Sequence, residues 1–173
     1  VIKGGTLAAL AASFPQIWIK ESWAQGNFRN NPGSGSVVKF GFNVPQTGPY
    51  ADEGADELRA YQLAVKHLNG EGDGGMLNTM KPSMLKGNGA LGKKVEYATG
   101  DTQTKSDAAR ASAKRLIEKD GVIMFTGGSS SGVAVAVQAL AQEMGIVFMA
   151  GLTHSNDTTC LLYTSPSPRD LST

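Results

Sequence analysis

Cysteine is almost missing from this 173-residue chain: Cys160 is the single one, so no internal disulfide framework holds the fold together. Aromatic residues are scarce too, at 7%, and neither sign of charge dominates, with 16 Lys and Arg against 15 Asp and Glu. No basic stripe or run is present to neutralise phosphates, which sets nucleic acid aside as a partner. No apolar run is long enough to span a bilayer, so stable membrane insertion of the mature protein is not expected. What remains, 40% hydrophobic residues with 18% charged ones, is the composition of a soluble globular domain. The 22 glycines suit a fold in which tight turns join strands to helices.

The two ends differ from the middle. Lys3 precedes a small and apolar run over residues 4–19, and Ser22-Trp23-Ala24 places small residues where a signal peptidase cleaves. Residues 1–24 are therefore expected to be an N-terminally incomplete export signal, and 25–36, rich in Gly, Asn and Ser, a linker. Val1-Ile2-Lys3 resembles the tail of a twin-arginine export motif whose arginines precede Val1, with an ordinary secretory signal as the alternative. Either route leads to the periplasm. At the other end, Cys160 to Asp170 back-translates into a string that resembles a transposase-based sequencing adapter. Residues 160–173 are thus expected to be foreign to the protein.

Between the ends, strand and helix signals alternate. Val37–Val44 is a β-branched and aromatic run closed by Pro45 and Thr47-Gly48-Pro49, a strand and its loop. From Ala55 to Asn69, Leu58, Tyr61, Val65 and Leu68 recur at helical spacing, and Asn69-Gly70 supplies the stop. Residues 70–92, with seven glycines and no usable period, read as an excursion loop. The acidic piece from Glu71 to Gly75 lacks the alternating oxygen ligands and distal glutamate of a calcium loop.

A second strand over Lys94–Thr99 follows, and then a helix from Ser106, its expected cap, to about Asp120, with Ala109, Ala113, Leu116 and Ile117 facing inward. Val122–Thr126 is short and apolar, as a parallel strand covered on both faces should be. The turn Gly127–Gly132 leads into a small-residue helix ending near Gly145, and Ile146–Ala150 reads as the fourth strand. Four alternations predict an α/β, doubly wound, mainly parallel sheet with flanking helices.

In such open sheets ligands bind beyond the carboxyl ends of the strands, so the informative loops are 46–50, 101–104, 127–132 and 151–156. Ser129, Ser130 and Ser131 stand at a helix N-terminus, where free N–H groups and the dipole favour an anion such as a carboxylate. Thr153, His154 and Ser155 come from the neighbouring strand and are candidates to complete the cradle. Capping alone is the alternative reading for any single serine there, but three after two glycines exceed what one cap requires.

Pro45-Gln46-Thr47-Gly48-Pro49-Tyr50-Ala51 after a strand, Gly100-Asp101 before a helix, the turn Gly127-Gly128-Ser129-Ser130-Ser131 and the strand running into Gly151-Leu152-Thr153 together resemble the type I periplasmic binding proteins. The resemblance is nearest to the branched-chain amino-acid and amide binders, and it covers residues 37–159. It implies that these residues are the first of two lobes of a substrate-binding component of an ABC transporter. Such a protein takes a small-molecule ligand, an amino acid or similar, and passes it to permease subunits without a cofactor, a metal or catalysis. The ligand-binding residues implied are Tyr50, Ser129, Ser130, Ser131, Leu152, Thr153 and His154.

Two features depart from the family pattern: the long excursion over 70–92, and His154 in a segment where the family commonly has small residues.

Rival readings rest on the same residues. Gly128–Gly132 also fits G-x-S-x-G, the nucleophile elbow, with Ser130 as nucleophile, yet neither His67 nor His154 has an evident acid partner. A dinucleotide site is disfavoured because two prolines, not G-x-G-x-x-G, follow the first strand. The same fold serving as the sensing domain of a receptor is the non-enzymatic alternative.

Overall fold

The computed structural model describes residues 35–71 and 87–160; the expected export signal, most of the linker and excursion, and the segment after Cys160 lie outside the described residues. Four strands, β1 (Val37–Val44), β2 (Lys94–Asp101), β3 (Met124–Gly127) and β4 (Val147–Ala150), form one parallel sheet in the order β2-β1-β3-β4. Among the described residues four helices connect or follow them: α1 (Ala51–Leu68), α2 (Ser106–Glu118), α3 (Ser131–Met144) and the single turn α4 (Asp157–Cys160). The doubly wound parallel sheet expected from the sequence is therefore present.

Each face of the sheet has its own cluster. Val38, Phe42 and Val95 point to one side and meet Leu58, Tyr61, Val65 and Leu68 of α1. Phe125 points to the other and meets Ala109, Ala113, Leu116 and Ile117 of α2 together with Val133, Val137, Leu140 and Ala141 of α3. The period-2 alternation of the strands and the 3.6-residue period of the helices produce this division directly. Crowding on the second face demands a small residue on β1: a Cβ at Gly41 would come within 2.8 Å of the Phe125 Cβ.

Polar contacts pin elements that apolar packing leaves free to slide. Asn43, 1% exposed in the middle of the sheet, donates from Nδ2 to the Ala109 carbonyl at 3.0 Å and accepts from the Ser112 hydroxyl, which locks β1 under α2. Asn69, just after α1, makes a matched pair with the Val95 backbone, donating to its carbonyl and accepting from its N–H, each at 2.8 Å. The end of α1 is thereby fixed on β2. Gly70 there has φ +75, and the Glu71 N–H returns to the Lys66 carbonyl at 2.8 Å, a glycine-terminated C-cap of the expected kind.

Element limits differ modestly from the expectations. α1 starts four residues early, at Ala51, because the 48–51 turn leads straight into a first turn carrying Asp52 and Glu53, which suit the helix dipole. Ser106 is the first residue of α2 rather than its cap; Lys105 holds the cap position, and no side chain caps the helix. β2 runs on through Asp101, and β3 begins at Met124, two residues later than the apolar run suggests. The Val122 N–H turns back to the Leu116 carbonyl, so that residue finishes α2 instead of starting the strand.

Candidate functional site

The chain leaves β1 through α1 on one face and, after β2, returns through α2 on the other to reach β3 on the opposite side of β1. The connections reverse between β1 and β3, and there the loops following the two strands part. In the sheet register Asn43 pairs with Gly127, and Gly127 with Ala150, so the loops after β1, β3 and β4 all leave from one level.

Glycine makes the central loop possible. Gly127 and Gly128 have φ +129 and +83, and a Cβ on Gly127 would lie 2.0 Å from the Asn43 carbonyl oxygen. The pair turns the chain sharply out of the sheet and delivers three serines to the start of α3. Ser130 is the N-cap residue, with φ −85 and ψ 125, and makes no side-chain cap bond. The first turn of α3 holds no acidic residue, whereas those of α1 and α2 hold Asp52, Glu53 and Asp107. The first turn of α3 therefore brings no acid of its own to compete with an anion supplied from outside.

The three serines have different surroundings. The Ser131 hydroxyl accepts from the His154 N–H at 3.2 Å and so joins the serine turn to the loop after β4. The Ser129 hydroxyl donates inward, to Glu57 Oε2 at 2.7 Å. Ser130 lies between them. In the loop after β4, the Thr158 hydroxyl donates to the Ser155 carbonyl at 2.6 Å, so the 3.0 Å contact between the Thr153 and Thr158 oxygens has Thr153 as donor. The Thr153 oxygen keeps its lone pairs for an incoming N–H. Leu152 is 49% exposed on the same loop, and Tyr50, at the N-cap of α1, is 41% exposed. Ser129, Ser130, Ser131, Thr153 and His154 are thus gathered by the two adjoining loops, and Tyr50 stands on the third without a hydrogen bond linking it to them.

Ser130 has relaxed extended backbone rather than the strained elbow that exposes a nucleophile, and His154 reaches the serines through its backbone N–H, not its ring. Among the described residues no group of three or more His, Cys, Asp or Glu side chains is placed to hold a metal ion.

Two features were not read from the sequence. The first is a polar cluster beneath the turn. Glu57 of α1 is 5% exposed and accepts from Ser129 on one oxygen and from the Tyr61 hydroxyl, at 2.5 Å, on the other. Tyr61 lies 3.2 Å from the Thr126 hydroxyl as well. Burial, reinforced by the hydrogen bond to Glu57, pushes the Tyr61 phenol well above its ordinary value, so it remains a donor. The signal was the i,i+4 spacing of Glu57 and Tyr61, hidden because the acid lies among solvated residues of an amphipathic helix.

The second is a knot at Asp101, which accepts from the Gln46, Thr47 and Gln103 N–H groups and from the Thr47 hydroxyl. Burial works to raise this carboxyl, but the hydrogen bonds, led by that of the Thr47 hydroxyl, outweigh it and hold Asp101 below the usual range. The loop after β1 is thus tied to the loop after β2.

Known proteins resemble this arrangement. A Leu/Ile/Val-binding protein homolog 7 from Brucella abortus is 28% identical over 111 residues, which make up 64% of this chain and 24% of that relative. The chain therefore spans about a quarter of the length of the curated relatives it matches. Among solved structures, the branched-chain amino-acid substrate-binding protein LivJ from Streptococcus pneumoniae, in complex with isoleucine, superposes with a TM-score of 0.60 at 23% identity, covering 72% of this chain and 31% of that one. A solute-binding protein of an ABC transporter from Rhodopseudomonas palustris, in complex with 3,4-dihydroxybenzoic acid, gives 0.56 at 22% identity, with 72% and 30% covered. At those identities the likeness speaks for the fold. The sequence family described as periplasmic binding protein matches residues 37–173. Strand, glycine turn and serine-bearing helix all fall inside that match, and the chain belongs to the periplasmic binding protein family.

Proposed function

We propose that this chain carries the first lobe of the substrate-binding component of an ABC transporter. That component captures a branched-chain or related amino acid, an amide or a small organic acid in the periplasm and delivers it to the membrane permease. The observation that carries the reading is the meeting of the serine turn and the loop after β4, next to the point between β1 and β3 where the sheet connections reverse. A helix N-terminus without an acid of its own faces that edge. In this reading Ser130 and the N–H groups of α3 hold the ligand's carboxylate, Thr153 accepts from its nitrogen, and Ser131 and His154 keep the two loops in register. Tyr50 and Leu152 line the approach, and Ser129 braces the turn from beneath. No bond is made or broken, and closure of a second lobe would complete the pocket.

Supporting the transport role are the family and the substrate-binding proteins among its structural neighbours. Residues 1–24 serve in this reading as the export signal and 25–36 as a linker; resequencing the source locus tests whether 160–173 is adapter-derived. The function itself is tested on the full-length protein by calorimetry with ligands first found in a thermal-shift screen of amino acids, amides and small acids. Ser130→Ala combined with Thr153→Ala is expected to weaken binding by about 100-fold or more, the lower end of the scale for two lost hydrogen bonds to charged groups. Unchanged affinity would refute the site.

A further inference from the structure

Glu57 is out of place for an acid on a helix. It is 5% exposed, and both carboxyl oxygens meet hydroxyls, Oε1 that of Tyr61 and Oε2 that of Ser129. Among the described residues no Lys, Arg or His forms an ion pair with it. A buried carboxylate served only by neutral donors is normally avoided, because hydroxyls offset part of the lost hydration and none of the charge.

Its position gives the charge a use. Ser129 belongs to the serine turn, and a Cβ built on Gly151, in the loop after β4, would lie 2.7 Å from the Tyr61 hydroxyl and 3.5 Å from Glu57 Oε1. The cluster thus sits against both loops of the site, beside the exposed Gly151. Glu57 also stands near the N-terminus of α3, where it opposes part of the attraction that the helix offers a plain anion. A ligand with an ammonium beside its carboxylate meets a fixed negative charge of the right sign, and one with the carboxylate alone meets repulsion.

We infer that Glu57 is the specificity-determining residue of this site, selecting ligands that carry a cationic nitrogen next to the carboxylate over acids of the same skeleton that lack it. The inference rests on the solute-capture reading above and assigns a cause to its selectivity. Repulsion of the wrong ligand matters here as much as attraction of the right one.

The test uses pairs of probes differing only in the ammonium, L-leucine with 4-methylpentanoate and L-phenylalanine with 3-phenylpropanoate, titrated calorimetrically into the full-length protein. The wild type is expected to prefer the amino acid in each pair that binds. Glu57→Gln, close in shape but uncharged, should shrink that preference by about tenfold or more, the scale of one charge contact at an intermediate effective permittivity. The acid should gain while the amino acid loses. Tyr61→Phe removes a donor and keeps the charge, so it must retain the preference.

A parallel loss for both ligands in Glu57→Gln, or no change, overturns the inference and makes Glu57 a structural brace. Binding of plain acids alone by the wild type overturns it while solute capture stands. Binding of no small molecule in the wider thermal-shift screen overturns both. Should Glu57→Gln fail to fold, the wild-type and Tyr61→Phe preferences still decide, since a preference for the plain acid in either is incompatible with a selecting charge at Glu57.

Discussion

Asn43 offers the sharpest check on the physical account of this fold. Its amide donates to the Ala109 carbonyl at 3.0 Å and accepts from Ser112, and the residue is 1% exposed. Asn43→Asp changes almost no volume but sets oxygen against oxygen where a hydrogen bond had been. The introduced carboxyl escapes by keeping its proton, since burial without a cationic partner disfavours the charged form and raises its folded pKa. Between the unfolded value, near about 3.9, and that raised value, the native state holds a proton the unfolded chain has lost. Raising the pH therefore favours unfolding, by up to about 1.4 kcal/mol per pH unit.

At pH 7 the deficit should reach about 3–5 kcal/mol, the range for an uncompensated buried charge. Asn43→Ala should instead lose about 2 kcal/mol at every pH, from the hydrogen bonds and the small cavity. Urea denaturation of the full-length protein followed by circular dichroism, with the wild type subtracted at each pH from 4.5 to 7.5, separates the two. Equal and pH-flat deficits would refute the claim that Asn43 is a dry, donor-requiring position.

The Asp101 knot should respond to acid in the opposite sense. Asp101→Ala is expected to cost about 1–2 kcal/mol near neutrality, and because the native carboxyl is held below its usual range, the difference from wild type should disappear as pH falls below about 4. A difference that persists at pH 2–3 argues against the knot. Two glycines should diverge: Gly54→Ala places a Cβ 1.8 Å from the Pro45 carbonyl oxygen and should push α1 off the loop after β1, whereas Gly132→Ala in α3 meets nothing within 4 Å. Thermal melts should fall for the first and rise for the second, by up to about 1 kcal/mol of helix propensity. Phe125→Ala, at a residue with no exposed surface, should cost about 3–5 kcal/mol and lower the urea midpoint accordingly.

How much could be read in advance depended on the range of the interaction. Ala109, Ala113, Leu116 and Ile117 declare their buried face through spacing alone, and all four are buried. Gly127-Gly128 before a serine run announces a turn into a helix, because the positive φ values required are a property of glycine. The strand shift at Val122 was not legible: an apolar run specifies burial, and both a helix terminus and a strand end provide it. Likewise the Ser106 cap was a reasonable expectation from residue type, displaced by one position when the chain entered α2 from the extended Lys105.

The sequence by itself determined the alternation of strand and helix, the parallel sheet and the edge on which hydroxyl-rich loops gather, because each follows from local periodicity and turn chemistry. Only the tertiary structure decided which of the serine hydroxyls turns inward. Ser129 and Ser130 are adjacent and chemically identical, yet the first turns to Glu57, 72 residues away in sequence, and the second holds the N-cap position of α3 without a side-chain cap bond. No local pattern encodes that difference. It arises where α1 crosses beneath the turn and brings a buried carboxylate to within hydrogen-bonding reach.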